Sequence, residues 1–530
     1  MQLSALRIIE LMNRDSAPLQ PDACYLALKA RDARFDGCFF TAVTSTGIYC
    51  RPVCKVRTPK RENCRFFGHA AQAEQAGFRP CLRCRPELAP HSLRWSIQDA
   101  SAVLARQAVR LLDEPDAWKD GAPVLEQLAA RLGVSDRHVR RIFESEFGVS
   151  PVQYLQTRRL LTAKQLLADT DLPVTQVALM SGYSSLRRFN AAFAGHYGLN
   201  PTQLRRVGGE RAGKGICVKL GYRPPYDVQA MLAFFLKRQI EGVEFIAPGR
   251  QELARSFAVE SAGERHSGWI AAEFLPDQHQ VQLRVSDSLR GALPLVIRRV
   301  RAWLDLDADP RSINAVLHER FPQGDGLRVP GAMSGHELAV RAVLGQQITV
   351  AAARTLAQRL VDRFGEPVET PWPEVGRLFP TPAALAAGGG DALGQLGIVR
   401  QRQAAIIAIS EAVAARRLEL HAGADVHATI AALKELPGIG EWTAQYIAMR
   451  ALRWPDAFPA GDVALHKALD VSSAKNPARE AEAASQAWKP WRSYAVIRAW
   501  SAMPPPPARL PARSPRATAV AAQPVPGVLP

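Results

Sequence analysis

Ile48-Tyr49-Cys50-Arg51-Pro52-Val53-Cys54, answered downstream by Phe78-Arg79-Pro80-Cys81-Leu82-Arg83-Cys84-Arg85-Pro86, decides how the N-terminal part of this chain folds. The four cysteines follow the pattern C-x3-C-x26-C-x2-C. Two close pairs separated by a longer loop are the spacing of a zinc site, because four thiolates can then close on one Zn2+. Around them, residues 22–90 are loop-rich, with short apolar runs such as Phe39-Phe40-Thr41-Ala42-Val43 that suit strands. A module of that size buries little apolar surface, so the metal is expected to hold it together. Arginine and proline beside both pairs would wrap the metal in cationic loops, which suits a phosphate-bearing partner.

The rest of the composition agrees with that partner. A chain of 530 residues implies about three or four domains. Its net charge of +17 favours polyanions, and residues 1–95 alone carry 15 Lys and Arg against 8 Asp and Glu. Seven of the eight cysteines lie between positions 24 and 84, which would suit a disulfide framework in a secreted protein. Met1 to Arg14 contains acidic Glu10 and no long apolar core, so export is not expected. No run approaches the roughly 20 apolar residues that span a bilayer. The expected setting is a reduced cytoplasm without membrane attachment, where thiolates are available for metal. Cys24, Cys38, Cys64 and Cys217 stand outside the pairs and read as buried free thiols, Cys217 in a strand core.

From Ser96 the texture turns helical, and two helix-turn-helix units follow before Arg206. In the first, Leu125, Leu128, Ala129 and Leu132 form one apolar face, Gly133 gives the turn, and Ser135 caps a helix. That helix sends Arg137, His138, Arg140 and Arg141 outward and Val139, Ile142 and Phe143 inward. In the second, Ser181-Gly182-Tyr183 turns and Ser184 opens a helix with Arg187, Arg188 and Asn190 outward and Leu186, Phe189 and Phe193 inward. One such unit could be a plain helical hairpin. Two in tandem with basic outer faces, joined by a long helix over Pro151 to Leu167, favour double-stranded DNA read in the major groove.

After a Gly- and Arg-containing linker, Gly208 to Gly215, the strand-like alternations at Ile216–Leu220 and Val281–Val285 flank a helix near Asp227–Lys237, an α+β pattern. Beyond about Gly326 helices are expected near 334–347, 348–364, 401–417 and 441–453. Leu436-Pro437-Gly438-Ile439-Gly440-Glu441-Trp442-Thr443-Ala444 reads as a tight hairpin whose glycines, Gly438 and Gly440, let backbone amides approach a DNA phosphate. Asp462 follows in Phe458-Pro459-Ala460-Gly461-Asp462-Val463, just before a new helix. It reads either as an N-cap or as a carboxylate that stabilises an oxocarbenium-like sugar beside aromatic faces suited to an alkylated purine. The Pro-rich stretch 504–530 is expected to be a disordered tail.

The motifs resemble two known families. Thr46 to Cys54, Arg61-Glu62-Asn63 and Ala76 to Cys84 are similar to the Ada family of methyl-accepting regulators, whose tandem helices are of the AraC type. Gly221-Tyr222-Arg223-Pro224-Pro225-Tyr226-Asp227, Leu344-Gly345-Gln346-Gln347, the Leu436–Ala444 hairpin and Trp488 to Tyr494 resemble AlkA-type 3-methyladenine DNA glycosylases of the helix-hairpin-helix superfamily. Together the resemblances cover about residues 22–503. They imply a multidomain α+β chain: a zinc-binding methyl-acceptor module at 22–90, an all-α tandem helix-turn-helix at 96–207, an α+β domain at 215–325 and an all-α helix-hairpin-helix domain at 326–503.

The first resemblance implies one Zn2+ held by Cys50, Cys54, Cys81 and Cys84, with Cys50 accepting a methyl group irreversibly from a DNA methylphosphotriester. Methylation would change the cluster's formal charge from −2 to −1, strengthen DNA binding and activate transcription, with RNA polymerase as a further partner of a monomeric chain. The second implies Asp462 as catalytic carboxylate, with Trp442, Tyr446 and Trp500 lining the base pocket. Two departures stand out: Gln347 occupies the place of an aliphatic wedge, and Gly461 that of an acidic residue. No Pro-Cys-His-Arg string exists to support the second methyltransferase of Ada. The alternative is a zinc-dependent regulator whose glycosylase half is only a DNA-binding scaffold.

Overall fold

The computed structural model describes residues 20–91, 100–113, 124–207, 216–261 and 263–503. The linker expected at 208–215 and the tail expected at 504–530 lie outside the described residues. The N-terminal module opens with helix α1 (Pro21–Ala30) and builds a four-stranded sheet in the order β3-β1-β2-β4 from β1 (Phe40–Val43), β2 (Ile48–Cys50), β3 (Cys64–Phe67) and β4 (Arg79–Pro80), with α2 (Ala70–Gln75) against it. Strands β2 and β4 run parallel, pairing Tyr49 with Pro80. That register sets the ends of both strands, where the cysteines sit, side by side.

The next helices are α3 (Ala100–Leu112), α4 (Val124–Leu132), α5 (Asp136–Phe147), α6 (Pro151–Asp169), α7 (Val174–Met180), α8 (Leu186–Tyr197) and α9 (Pro201–Val207). Ser135 caps α5 by accepting from the His138 amide, and Ser150 with Gln153 forms a reciprocal capping box on α6. Val139, Ile142 and Phe143 are buried as the pattern required. In the second unit the cap is Ser185, not Ser184, because the Ser185 hydroxyl reaches the Arg188 amide. Leu186 accordingly sits in the first turn on the outer side and is 40% exposed, whereas Phe189 and Phe193 are buried.

An antiparallel five-stranded sheet of order β5-β9-β8-β7-β6 follows, made of β5 (Ile216–Gly221), β6 (Glu244–Ile246), β7 (Glu252–Ser261), β8 (Glu264–Leu275) and β9 (Gln280–Val285). Helices α10 (Val228–Leu236) and α11 (Leu293–Trp303) cover it. Cys217 lies on the half-buried face of β5, so it is not a core residue of the strand. The apolar core does not stop at the sheet. One continuous cluster of buried residues runs from Leu160 and Phe189 of the helix-turn-helix into Val218, Ile270 and Trp303.

The C-terminal part is helical: α12 (Pro310–Leu317), α13 (Gly335–Leu344), α14 (Val350–Phe364), α15 (Pro382–Gln395), α16 (Arg400–Ala414), α17 (Val426–Glu435), α18 (Glu441–Arg450), α19 (Val463–Ala468), α20 (Pro477–Ser485) and α21 (Arg492–Ser501). Trp488 and Trp491 pack inside this layer, Trp488 against Phe321 and Phe458. Arg492 is buried in a bidentate pair with Asp456, at 2.7 and 2.9 Å. Removing one partner strands a buried charge, so Arg492→Ala is expected to lower stability by about 3–5 kcal/mol in denaturant unfolding. No helix among the described residues is long and apolar enough to cross a membrane.

Candidate active site and zinc centre

The first site forms where β2 and β4 end. The Cys81 amide donates to the Tyr49 carbonyl at 2.9 Å, and the turn after β2 brings the Cys54 amide back to the Arg51 carbonyl at 3.2 Å. The ligand sulfurs of Cys50, Cys54, Cys81 and Cys84 all lie within 4.8 Å of one another. Zn–S bonds of about 2.3 Å would set tetrahedral sulfurs about 3.8 Å apart, so this donor set fits one Zn2+. The Arg51 amide donates to Cys84 Sγ at 3.4 Å.

Only part of the cationic wrapper expected around the metal is turned inward: Arg51 is buried and Arg85 half-buried, while Arg79 and Arg83 are exposed. Arg51 is 6% exposed; its guanidinium pairs with Asp36 and donates to the Cys84 carbonyl at 3.0 Å. Arg79 donates to the Tyr197 carbonyl at 3.2 Å, and Arg85 pairs with Asp169 at 2.6 Å. Arg79 and Arg85 thus tie the zinc module to the helix-turn-helix, while Lys55, Arg57 and Arg83 are exposed. On the helix-turn-helix, Arg137, Arg140 and Arg141 of α5 and Arg187, Arg188 and Asn190 of α8 are exposed; His138 is half-buried, 3.1 Å from Arg141.

The second site lies between α18, α19 and α21. Asp462 is the N-cap of α19, its Oδ1 accepting from the Leu465 amide at 2.7 Å. The same carboxylate also accepts from two indoles, Trp442 Nε1 to Oδ2 at 2.9 Å and Trp500 Nε1 to Oδ1 at 3.0 Å. The capping role and a chemically fixed carboxylate thus coexist in one residue. Trp442 and Tyr446 stack at 5.2 Å with an 11° interplanar angle, and Tyr446 lies 6.4 Å from Trp500. All four residues are half-buried, forming one aromatic wall around one carboxylate.

Sequence reasoning missed the cations beneath this wall. Arg450 donates to the Tyr446 hydroxyl at 2.5 Å, and Arg238 and Arg450 stand 3.7 and 4.8 Å from the Phe234 ring. Burial acts to raise the Tyr446 pKa, but Arg450 and Arg238 outweigh it and bring it below the usual phenol value. Burial lowers Arg238 to about 10. Phe234 and Arg238 belong to the α10 region, more than 200 positions before Trp442, and no local motif marks them.

The hairpin before α18 is clasped to the α13–α14 turn. Gln346 donates to the Gly438 carbonyl and the Thr443 hydroxyl, both at 2.9 Å, while Arg402 holds the Gln346 carbonyl at 2.5 Å. Gly438 has φ +76° and a Cβ there would lie 3.2 Å from the Gln401 carbonyl, so both conformation and approach exclude larger residues. Gln347 sits exposed at the tip of the turn with φ +55°. Gly440 caps α18 without a side chain, so no capping side chain occupies its first amides.

Family models match along almost the whole chain: the metal binding domain of Ada at residues 23–87, a helix-turn-helix domain at 128–207, the AlkA N-terminal domain at 217–334 and the HhH-GPD superfamily of base excision DNA repair proteins at 340–493. A probable bifunctional transcriptional activator/DNA repair enzyme AlkA of Mycobacterium tuberculosis is 36% identical over 91% of this chain and 96% of its own length. DNA-3-methyladenine glycosylase 2 of Escherichia coli is 34% identical over 53% of this chain and 95% of its own. The bifunctional activator/repair enzyme Ada of the same organism is 34% identical over 36% of this chain and 50% of its own. With zinc module, DNA-reading helices and glycosylase fold in that order in one polypeptide, the chain belongs to the family of AlkA-type bifunctional transcriptional activator/DNA repair enzymes.

Proposed function

We propose that this chain repairs alkylated DNA at two sites and regulates transcription from one of them. The observation that carries the glycosylase reading is the Asp462 carboxylate, fixed by two indole donors beside the stacked Trp442 and Tyr446. A purine flipped from the duplex stacks on that wall, Asp462 faces the sugar as positive charge develops at its anomeric carbon, and water completes hydrolysis of the N-glycosidic bond. Alkylation that makes a base such as 3-methyladenine cationic supplies its own leaving group, so a single carboxylate suffices. Arg238 and Arg450 oppose such a charge from beneath Tyr446. Recognition therefore rests on the faces of Trp442, Tyr446 and Trp500, with the Asp462 carboxylate as the balancing charge. The space left by the flipped nucleotide is filled by Gln347, exposed at the tip of its turn, or by a neighbour, and the amides around Gly438 and Gly440 hold a backbone phosphate. A scaffold would need no carboxylate fixed in this way. Release of 3-methyladenine from alkylated duplex DNA tests the reading; no release above background refutes it.

Trp500→Phe keeps the aromatic face and removes one donor to Asp462. We expect kcat to fall about 10–100-fold, because one of the three donors that fix the carboxylate toward the sugar is lost. An unchanged kcat in single-turnover base release would show that the indole contact does not position Asp462.

At the first site, Cys50, Cys54, Cys81 and Cys84 would hold Zn2+, which when bound would keep their sulfurs as thiolates. Cys50 Sγ takes the methyl carbon of a methylphosphotriester; a C–S bond forms, the methyl C–O bond breaks, and an ordinary phosphodiester leaves. Cys54, Cys81 and Cys84 serve as supports. The exposed faces of α5 and α8, through Arg137, His138, Arg140, Arg141, Arg187, Arg188 and Asn190, read promoter DNA in successive major grooves. The same reading makes the protein a cytoplasmic monomer that contacts RNA polymerase. A single species of monomer mass in light scattering is the expected outcome for the free protein.

A further inference from the structure

Arg223 is fully buried, with 0% of its surface exposed, and among the described residues it has no carboxylate in hydrogen-bond contact. All five of its N–H donors end on backbone carbonyls. Nε donates to Asp36 at 2.7 Å, Nη1 to Asp307 at 2.8 Å and Ala308 at 3.1 Å, and Nη2 to Pro90 and His91, both at 3.0 Å. Asp36, Pro90 and His91 belong to the zinc module and the segment leaving it; Asp307 and Ala308 belong to the glycosylase half. The Arg223 backbone is itself held by Arg328, which donates to its carbonyl at 2.6 Å.

Close packing surrounds this contact. A Cβ on Gly221 would lie 2.4 Å from the Leu88 carbonyl and 3.6 Å from Arg51 Nη2. The His91 amide donates to Asp307 Oδ1 at 2.7 Å, and the Arg311 guanidinium covers the Phe35 ring at 4.8 Å. Asp36 links the surface to the metal site, since its carboxylate pairs with Arg51, whose amide touches Cys84 Sγ. Three of the five acceptors of a buried cation therefore depend on a module that metal ligation is expected to hold folded. An arginine fork matched to five carbonyls tolerates little displacement, and losing part of that set leaves buried donors unpaired.

We propose that the zinc module is a structural partner of the glycosylase half, docked through Arg223, so that zinc loading sets the local stability of the base-excision domain. The two repair centres then behave as one cooperative unit, not as modules on a flexible tether. This goes beyond the assignment of either activity and holds whichever cysteine accepts the methyl group.

Hydrogen exchange on the full-length protein tests it, with zinc content measured in every sample. On removing zinc from the wild type with a chelator, exchange is expected to accelerate at least about tenfold in peptides over 221–227 and 304–317 as well as within 22–90. Acceleration confined to 22–90 would overturn the proposal. Arg223→Gln with zinc still bound is expected to accelerate the same glycosylase peptides. Gly221→Ala, which pushes on the Leu88 carbonyl but leaves the Arg223 donors intact, should do so in milder form. Zinc-loaded variants whose glycosylase peptides exchange like the wild type count against the latch. The wild-type comparison decides alone should Arg223→Gln not fold.

Discussion

Asp462→Asn is expected to reduce release of 3-methyladenine by about 10³-fold while leaving the fold intact, the loss typical of deleting one electrostatic contact made to a developing charge. The substitution separates the two roles that the structure gives this residue. Asn is as good an N-cap as Asp, so the bond from the Leu465 amide and the stability of α19 survive. The chemistry does not survive. An amide presents only one acceptor, whereas Asp462 uses both oxygens against the indoles of Trp442 and Trp500. One indole N–H would face an NH2 group, and the negative charge opposite the sugar would be gone. Base release from alkylated duplex, measured beside thermal unfolding, checks both halves of the statement. Wild-type release by Asp462→Asn would return Asp462 to a purely capping role.

What the sequence made legible follows from how local each determinant is. The zinc site is local: the spacing of Cys50, Cys54, Cys81 and Cys84 needs only a parallel pairing of β2 with β4 to close. Helix caps are nearly local, and Ser135 was readable, but the second unit offered adjacent serines, Ser184 and Ser185. Only the turn geometry chose the latter and put Leu186 on the outside. Asp462 could be named from its motif, yet its indole partners come from positions 20 and 38 residues away and emerge only with α18 and α21 in place. Phe234 and Arg238 were illegible because a different domain supplies them. The same holds for Arg51, whose charge suggested a phosphate-bearing partner and which tertiary packing turned inward against Asp36, and for Arg223, whose five carbonyl acceptors no local motif marks. Surface charge is a statement about composition until partners in the fold are known.

Cys50→Ala is expected to abolish methyl acceptance and, without any exposure to damage, to bind promoter DNA as tightly as the methylated wild type. The first part follows from losing the sulfur proposed to take the methyl group. The second is electrostatic. Three thiolates around Zn2+ carry a formal charge of −1, the same as four sulfurs of which one is a neutral thioether; the unmodified cluster carries −2. One unit of charge acting on a phosphate about 8 Å away at an effective dielectric near 20 amounts to roughly 2 kcal/mol. Screening by salt reduces this, which leaves a gain of roughly tenfold in affinity that shrinks as ionic strength rises. The measurements are intact mass after incubation with methylphosphotriester DNA, zinc content, and promoter affinity at two salt concentrations. A mass gain of one methyl on Cys50→Ala would move the acceptor to another cysteine. Zinc-loaded Cys50→Ala binding no more tightly than unmethylated wild type would show that charge alone does not throw the switch, and would shift the explanation to a change in shape around Arg51 and the docked α8.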